Sequence, residues 1–441
     1  MTKGFLIAAT NSGVGKTTSS MGLMAALKAR GKTVQGFKTG PDYIDPAYHT
    51  IISGRSSYNL DTYMMGTDGV VNQFMTASQG ADISIVEGVM GLFDGMDSTE
   101  ISGAAHVAKT LDVPVFLVIN THGMSRSTAA MLKGYAEYDK DVHIAGVILN
   151  KIGSPRHLEL IKGALDDKIP IVGALPRNPN IAVPERYMGL HLPEEEDLDF
   201  SELASFIEEN MDIDLILKIA AEYEKERPLP PEIKSAEANV KIGIAREPSF
   251  CFLYPAMVDA FRQAGAEIVF FSPTAGELPE ADGYYFPSGY PEFHIQKLSE
   301  SSTTKKLKKL AADGIPMFGE GAGLSYLCES YTTEEGTFKM AGILPAVSEI
   351  TKKLQGLGYA EAKPLSSEFG SKNIRAHEFH YSLTTPDKDA EFAYEMLRGK
   401  GIADKKDGLH EYNVLAGYMQ MHPGSFPVAD FVEKCRTNKR K

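Results

Sequence analysis

Apolar residues in the first part of the chain come in short, nearly unbroken runs: GFLIAAT at 4–10, TVQGFKTG at 33–40, ADISIVEGVMGLF at 81–93, VPVFLVIN at 113–120, HIAGVILNKIG at 143–153 and PIVGALPR at 170–177. Runs of this length without polar alternation predict strands buried on both faces. Amphipathic stretches such as TTSSMGLMAALKARG at 17–31 separate them, and this alternation predicts a parallel sheet with helices on both sides. The pattern changes near residue 190. Residues 192–240 are acidic with helical periodicity and then proline-rich, which predicts one or two linking helices and a connector. A second strand–helix series runs through VKIGIA (240–245), GAEIVFFSP (265–273), ADGYYFPSG (281–289) and IPMFGEG (315–321), and ends with apolar strands near EFHYSL (378–383) and VLAGYMQMH (414–422). The expected class is α/β, with an N-terminal domain over 1–190, an acidic helical linker over 191–240 and a C-terminal domain over 241–441.

A length of 441 residues agrees with two domains, since one ordinary core serves roughly 100–200 residues. No apolar run approaches the roughly 18 residues that span a bilayer, and the apolar start breaks at a glycine-rich turn with no small-residue cleavage site. A cytoplasmic location without membrane association is therefore expected. The net charge of −13 speaks against a nucleic-acid surface. Cys251, Cys328 and Cys435 share no CxxC spacing, so neither a disulfide framework nor a zinc site is indicated.

The first strand runs straight into Gly13-Val14-Gly15-Lys16-Thr17-Thr18 at the head of a helix. Backbone N–H groups of such a turn, with the positive helix end, form an anion site; Lys16 is set to reach the β- and γ-phosphates of ATP and Thr17 to ligate Mg²⁺. Thr10 stands where the usual spacing has glycine. Magnesium takes hard oxygen ligands, commonly carboxylates at neighbouring strand ends. KTGPDYIDPAYH (38–49) offers Asp42 and Asp45 beside Lys38, and SIVEGVMGLFDG (84–95) offers Glu87 where the apolar run meets glycines. Beside Pro41 and Pro46, the two aspartates could instead merely cap a turn.

With these residues in place, the chain resembles the cobyrinic acid a,c-diamide synthase family, including relatives that amidate Ni-sirohydrochlorin. The likeness covers nearly the whole chain and rests on NSGVGKTT, FKTGPDYIDPAYH, NLDTYMM, VEGVMGLFDG, ILNKIGSPRH, ALPRNPNIAVPERYMGLH, FCFLYPAMVDAFRQAGAEIVFFSP, SGYPEFH, LGYAEA and HEFHYS. It implies a dethiobiotin-synthetase-like P-loop domain that uses ATP and Mg²⁺ to turn the a- and c-acetates of a metal tetrapyrrole into acyl phosphates, which ammonia then attacks. On that reading Thr17, Asp42 and Glu87 surround the metal, Asp45 and Tyr43 lie where the acetate enters, Lys38 clamps phosphate or carboxylate, and Asn150 lies near the adenine. The macrocycle stays open between cobyrinic acid, sirohaem and Ni-sirohydrochlorin. A nonenzymatic nucleotide- and tetrapyrrole-binding carrier or regulator is the alternative. Dethiobiotin synthetases and ParA-type ATPases share the variant loop but not a C-terminal half. A homodimer is expected only from its commonness among such folds.

The C-terminal half resembles a triad-type class I glutamine amidotransferase. In that family an elbow cysteine attacks the glutamine amide, a histidine near the C-terminus is its base, and a glycine-rich loop supplies oxyanion N–H groups. IPMFGEGAGLSYLC (315–328) has the strand–turn–helix shape of the elbow, but its apex is Gly321, followed by Ala322, and the loop reads Pro287-Ser288-Gly289. Proline has no N–H and glycine no nucleophile. His422 keeps the histidine position, and Cys328 lies seven residues past the apex, about 10 Å along a helix. Loss of glutaminase chemistry is expected, with ammonia or a separate glutaminase supplying nitrogen. His377 and His380 match the family's substrate-side segment and are expected to meet the tetrapyrrole.

Overall fold

The computed structural model describes residues 3–166, 168–178, 181, 198–223 and 238–439. The boundary expected at 190/191, and part of the motif at 174–191, lie outside these residues. The chain forms two compact units, Met1–Glu232 and Ile233–Lys441.

In the first unit, the apolar runs become β1 (Gly4–Ala9), β2 (Val34–Thr39), β3 (Tyr58–Leu60), β4 (Ile83–Glu87), β5 (Val115–Asn120), β6 (Ile144–Ile152) and β7 (Ile171–Pro176). They pair in parallel in the order β3-β2-β4-β1-β5-β6-β7. Every residue of β1, β2 and β4 is buried, as expected for strands covered on both faces. Successive side chains take opposite faces: Phe5 and Ile7 join Met21 and Leu23 of helix α1 (Lys16–Ala29), whereas Leu6 and Ala8 join Val86 and Leu117 in a second core.

Two acidic helices, Ser201–Asn210 and Ile213–Glu222, fall where the linker is expected. They differ from a free linker because their apolar stripes, with Leu203, Ile207 and Ile216, complete the core beneath α1. Gly22 of α1 allows the close approach, since a Cβ there would stand 2.4 Å from Ile207 Cγ1. The periodicity predicted these helices, but not the surface that receives them.

The second unit is built on the parallel strands β8 (Val240–Ala245), β9 (Ala266–Phe271), β10 (Gly283–Phe286) and β11 (Met317–Glu320), with Val414–Gly417 beside β11. Antiparallel strands extend this sheet to ten, and a separate four-stranded sheet lies in the same unit. Strands such as Gly356–Pro364 and Glu391–Arg398 are not expected from the apolar pattern. Their burial is interrupted, so no continuous apolar run announces them. No helix among the described residues is long and apolar enough to cross a membrane.

The docked helix gives a stability prediction. Ile207 is fully buried, so Ile207→Ala is expected to destabilise the first unit by about 2–5 kcal/mol, read as a lower urea midpoint with the slope unchanged.

Candidate active site

β1 ends in the glycine turn, where Gly13 and Gly15 have φ of +77° and +97°. That region favours glycine, and a Cβ at Gly15 would also stand 2.1 Å from Asn150 Nδ2. The loop is braced from outside. Asn150 Nδ2 donates to the Val14 carbonyl at 2.8 Å, Lys151 N donates to Asn150 Oδ1 at 2.7 Å, and the Tyr135 hydroxyl donates to the Thr10 carbonyl at 2.7 Å. Asn150, expected near the adenine, thus has both ends of its amide engaged in holding the loop and its own turn. The first turn of α1 carries no acidic residue, leaving its positive end free for an anion.

Strand register sets the charged centre. Lys38 of β2 and Glu87, the last residue of β4, are direct partners across the ladder. Lys38 Nζ donates to Glu87 Oε1 at 2.9 Å, and both side chains are buried. Helix α2 (Ile44–Ser53) lies over them. Its residues Asp45 and His49 are four apart and so share a face: Asp45 Oδ2 accepts from Lys38 Nζ, and His49 Nε2 meets Glu87 Oε2 at 2.9 Å. Thr17 Oγ1 donates to Glu87 Oε1 at 2.7 Å. Asp42 Oδ1 accepts from Ile44 N at 2.8 Å, capping α2, while its Oδ2 stands 3.7 Å from Lys38 Nζ. The turn-capping role and a place at the charged centre are therefore combined in Asp42. Tyr43 is half-buried at the head of α2. Lys16 Nζ donates to the Met90 carbonyl at 3.1 Å, and Thr18 follows in the first turn of α1.

Three carboxylates face two lysines here. Burial works against the charge on Lys38, but Asp45, Glu87 and Asp42 more than offset it and raise its pKa. Burial also pushes Glu87 up, yet Lys38 and His49 hold it well below the usual carboxylate range. The surplus falls on Asp45, which burial and the neighbouring Glu87 push upward. Burial and the nearby Lys38 lower Lys16.

The oxygen set suits Mg²⁺. Thr17 Oγ1 and Glu87 Oε1, 2.7 Å apart, approximate adjacent ligands at octahedral bond lengths of about 2.0–2.1 Å. No group of three His, Cys, Asp or Glu among the described residues forms a complete metal cage. Among the residues of this centre, His49 escaped the sequence reading, although its i+4 relation to Asp45 was a usable signal.

In the second unit the elbow survives as backbone. Gly321 has φ +49° and ψ −99°, between β11 and the short helix Ala322–Leu327. Its N–H donates to the Gly417 carbonyl at 2.8 Å. The space above the apex is filled: a Cβ on Gly321 would stand 2.3 Å from Ser288 Oγ and 3.0 Å from Ser288 Cβ. Ser288 is held in turn, its carbonyl accepting from Phe252 N at 2.8 Å. Cys328 is fully buried against Ser348, and burial pushes its thiol up to about 12. Burial takes His422 down to about 4; its Nδ1 accepts from Gly424 N at 3.1 Å, and its ring lies edge-on to Tyr254.

His377 and His380 lie three apart on the strand Ile374–His380 and therefore point to opposite faces. His377 packs edge-on to Tyr359, and His380 stacks on Tyr418 with ring centroids 3.5 Å apart. The strand does not bring the pair to one surface.

Comparisons with known proteins agree with both halves. Residues 5–190 match the model of the CobQ/CobB/MinD/ParA nucleotide binding domain, and residues 241–427 that of the CobB/CobQ-like glutamine amidotransferase domain. A cobyrinate a,c-diamide synthase of Priestia megaterium is 38% identical, covering 99% of this chain and 98% of its own. The enzymes of that name from Haloarcula marismortui and Listeria innocua are each 37% identical, covering 95% of this chain and 96% and 95% of their own. The nucleotide-binding turn, the carboxylates beside it and this full-length similarity agree: the chain belongs to the cobyrinate a,c-diamide synthase family.

Proposed function

We propose that the chain amidates the a- and c-acetate side chains of a cobyrinate-type tetrapyrrole, with an acyl phosphate as intermediate and ammonia, free or delivered by a separate glutaminase, as the nitrogen donor. The family makes it an ATP-dependent amide ligase. The observation that carries the finer reading is the buried Lys38–Glu87 pair, with the half-buried Asp45 and Thr17 bonded to it, at the mouth of an anion-binding turn.

Direct displacement from a carboxylate would expel oxide, whereas displacement from an acyl phosphate expels phosphate. In the first step a carboxylate oxygen bonds to the γ-phosphorus and the bond to ADP breaks. In the second, the ammonia nitrogen bonds to the carbonyl carbon and phosphate departs. The protein's task is to align and neutralise reacting groups. The glycine turn and Lys16 hold the phosphates. Thr17, Glu87 and Asp42 would hold Mg²⁺, which supplies charge neutralisation on the phosphate oxygens. Lys38, fixed between Asp45 and Glu87, keeps the carboxylates from repelling the incoming acetate. Tyr43 and Asp45, at the head of α2, are assigned to the acetate side.

The loss of glutaminase rests on the elbow. Gly321 carries no thiol and Ser288 fills the space above it, and Cys328 is buried with its thiol pushed up to about 12. The retained domain and His422 serve as scaffold in this reading.

Purified protein with ATP, Mg²⁺ and cobyrinic acid is expected to form diamide with ammonium and to release no glutamate from glutamine. Binding without turnover would instead favour a carrier, and coupled glutamate release would overturn the ammonia reading. Lys16→Ala is expected to lower the ammonium-dependent rate by about 10²–10³-fold in a coupled ADP assay. Gly321→Cys alone is expected to leave glutamate release at background, because the new Cβ meets Ser288 and the backbone keeps a positive φ.

A further inference from the structure

We infer that His49 is a positioning residue for the metal site: it fixes Glu87 so that one carboxylate oxygen is presented to Mg²⁺. This rests on the reading above, in which Glu87 is a metal ligand. The two oxygens of Glu87 have separate partners. Oε1 accepts from Thr17 Oγ1 at 2.7 Å and from Lys38 Nζ at 2.9 Å, on the side of the phosphate turn. Oε2 meets His49 Nε2 at 2.9 Å, with both residues fully buried. An ionised carboxylate only accepts, so Nε2 carries the proton. The other ring nitrogen faces Ser57 Oγ at 3.4 Å, and Ser57 is itself buried.

The backbone makes room for this ring. A Cβ on Gly36 of β2 would stand 2.9 Å from His49 Cβ, so the glycine lets α2 sit close enough for the imidazole to reach the end of β4. A carboxylate held at one oxygen by an imidazole cannot rotate to bring that oxygen forward. Thr17 and Lys38 both lie on the other oxygen. If a metal draws Thr17 away from Glu87, the His49 contact still orients the carboxylate. Partners of this kind behind a metal ligand are worth roughly 10–100-fold in metal affinity.

The test measures Mn²⁺ binding by electron paramagnetic resonance in the presence of a nonhydrolysable ATP analogue, with analogue binding in EDTA measured separately. His49→Asn, whose amide is too short to reach Oε2, is expected to weaken Mn²⁺ by about 10–100-fold, while His49→Gln, whose amide nitrogen can stand in for Nε2, stays within about threefold of wild type. Analogue binding in EDTA is expected to be unchanged in both. Wild-type Mn²⁺ affinity in a folded His49→Asn protein would overturn the inference. If His49→Asn does not fold, a loss in His49→Gln as large as about tenfold would overturn it equally. Glu87→Gln separates the two levels. Unchanged Mn²⁺ affinity there removes Glu87 as a ligand and the inference with it; a loss in Glu87→Gln without one in His49→Asn removes only the role of His49.

Discussion

A lysine and a glutamate on adjacent strands, Lys38 and Glu87, lie side by side in the interior of a parallel sheet, and the N-terminal site is arranged around them. Two charges so deep in the fold lose their hydration, and their mutual attraction offsets that loss only when further partners complete the shell. Asp45, His49 and Thr17 are those partners. They come from α2 and α1, the helices that follow β2 and β1. The same geometry that stabilises the pair therefore sets the end of α1, with its anion-binding turn, beside a fixed carboxylate. Removing Lys38 would leave the buried Glu87 without its hydrogen-bonded cation, a change worth about 3–5 kcal/mol.

Three carboxylates face two lysines in this centre. Burial and Glu87 push Asp45 upward, while Lys38 and His49 keep Glu87 low. Asn150 and Tyr135 make the complementary contribution by holding the turn in a shape its glycines would otherwise leave loose. Electrostatic catalysis depends on groups that need no reorganisation when the reaction begins.

The C-terminal unit follows the opposite rule. Its elbow keeps the strained turn, with φ +49° and no side chain at Gly321. Ser288 fills the volume a side chain would need, and His422 is held neutral by burial, with its pKa down to about 4. Backbone shape in this unit is fixed by packing and hydrogen bonding.

The chain's own order of residues determined much of this. Unbroken apolar runs defined the parallel strands, because burial on both faces leaves no room for polar alternation. The glycine turn, Lys16, Thr17 and the acidic strand ends were legible because their chemistry is local in sequence. Gly321 and Pro287 announced a missing nucleophile and a missing N–H by residue type alone. Only the tertiary structure decided the rest. The register that pairs Lys38 with Glu87, the docking of the helices near Ile207 and Ile216, the turn of Asn150 toward Val14 and the serine above Gly321 all join residues far apart along the chain. Strand register and helix docking are set by the fit of whole surfaces, and no local pattern encodes that fit.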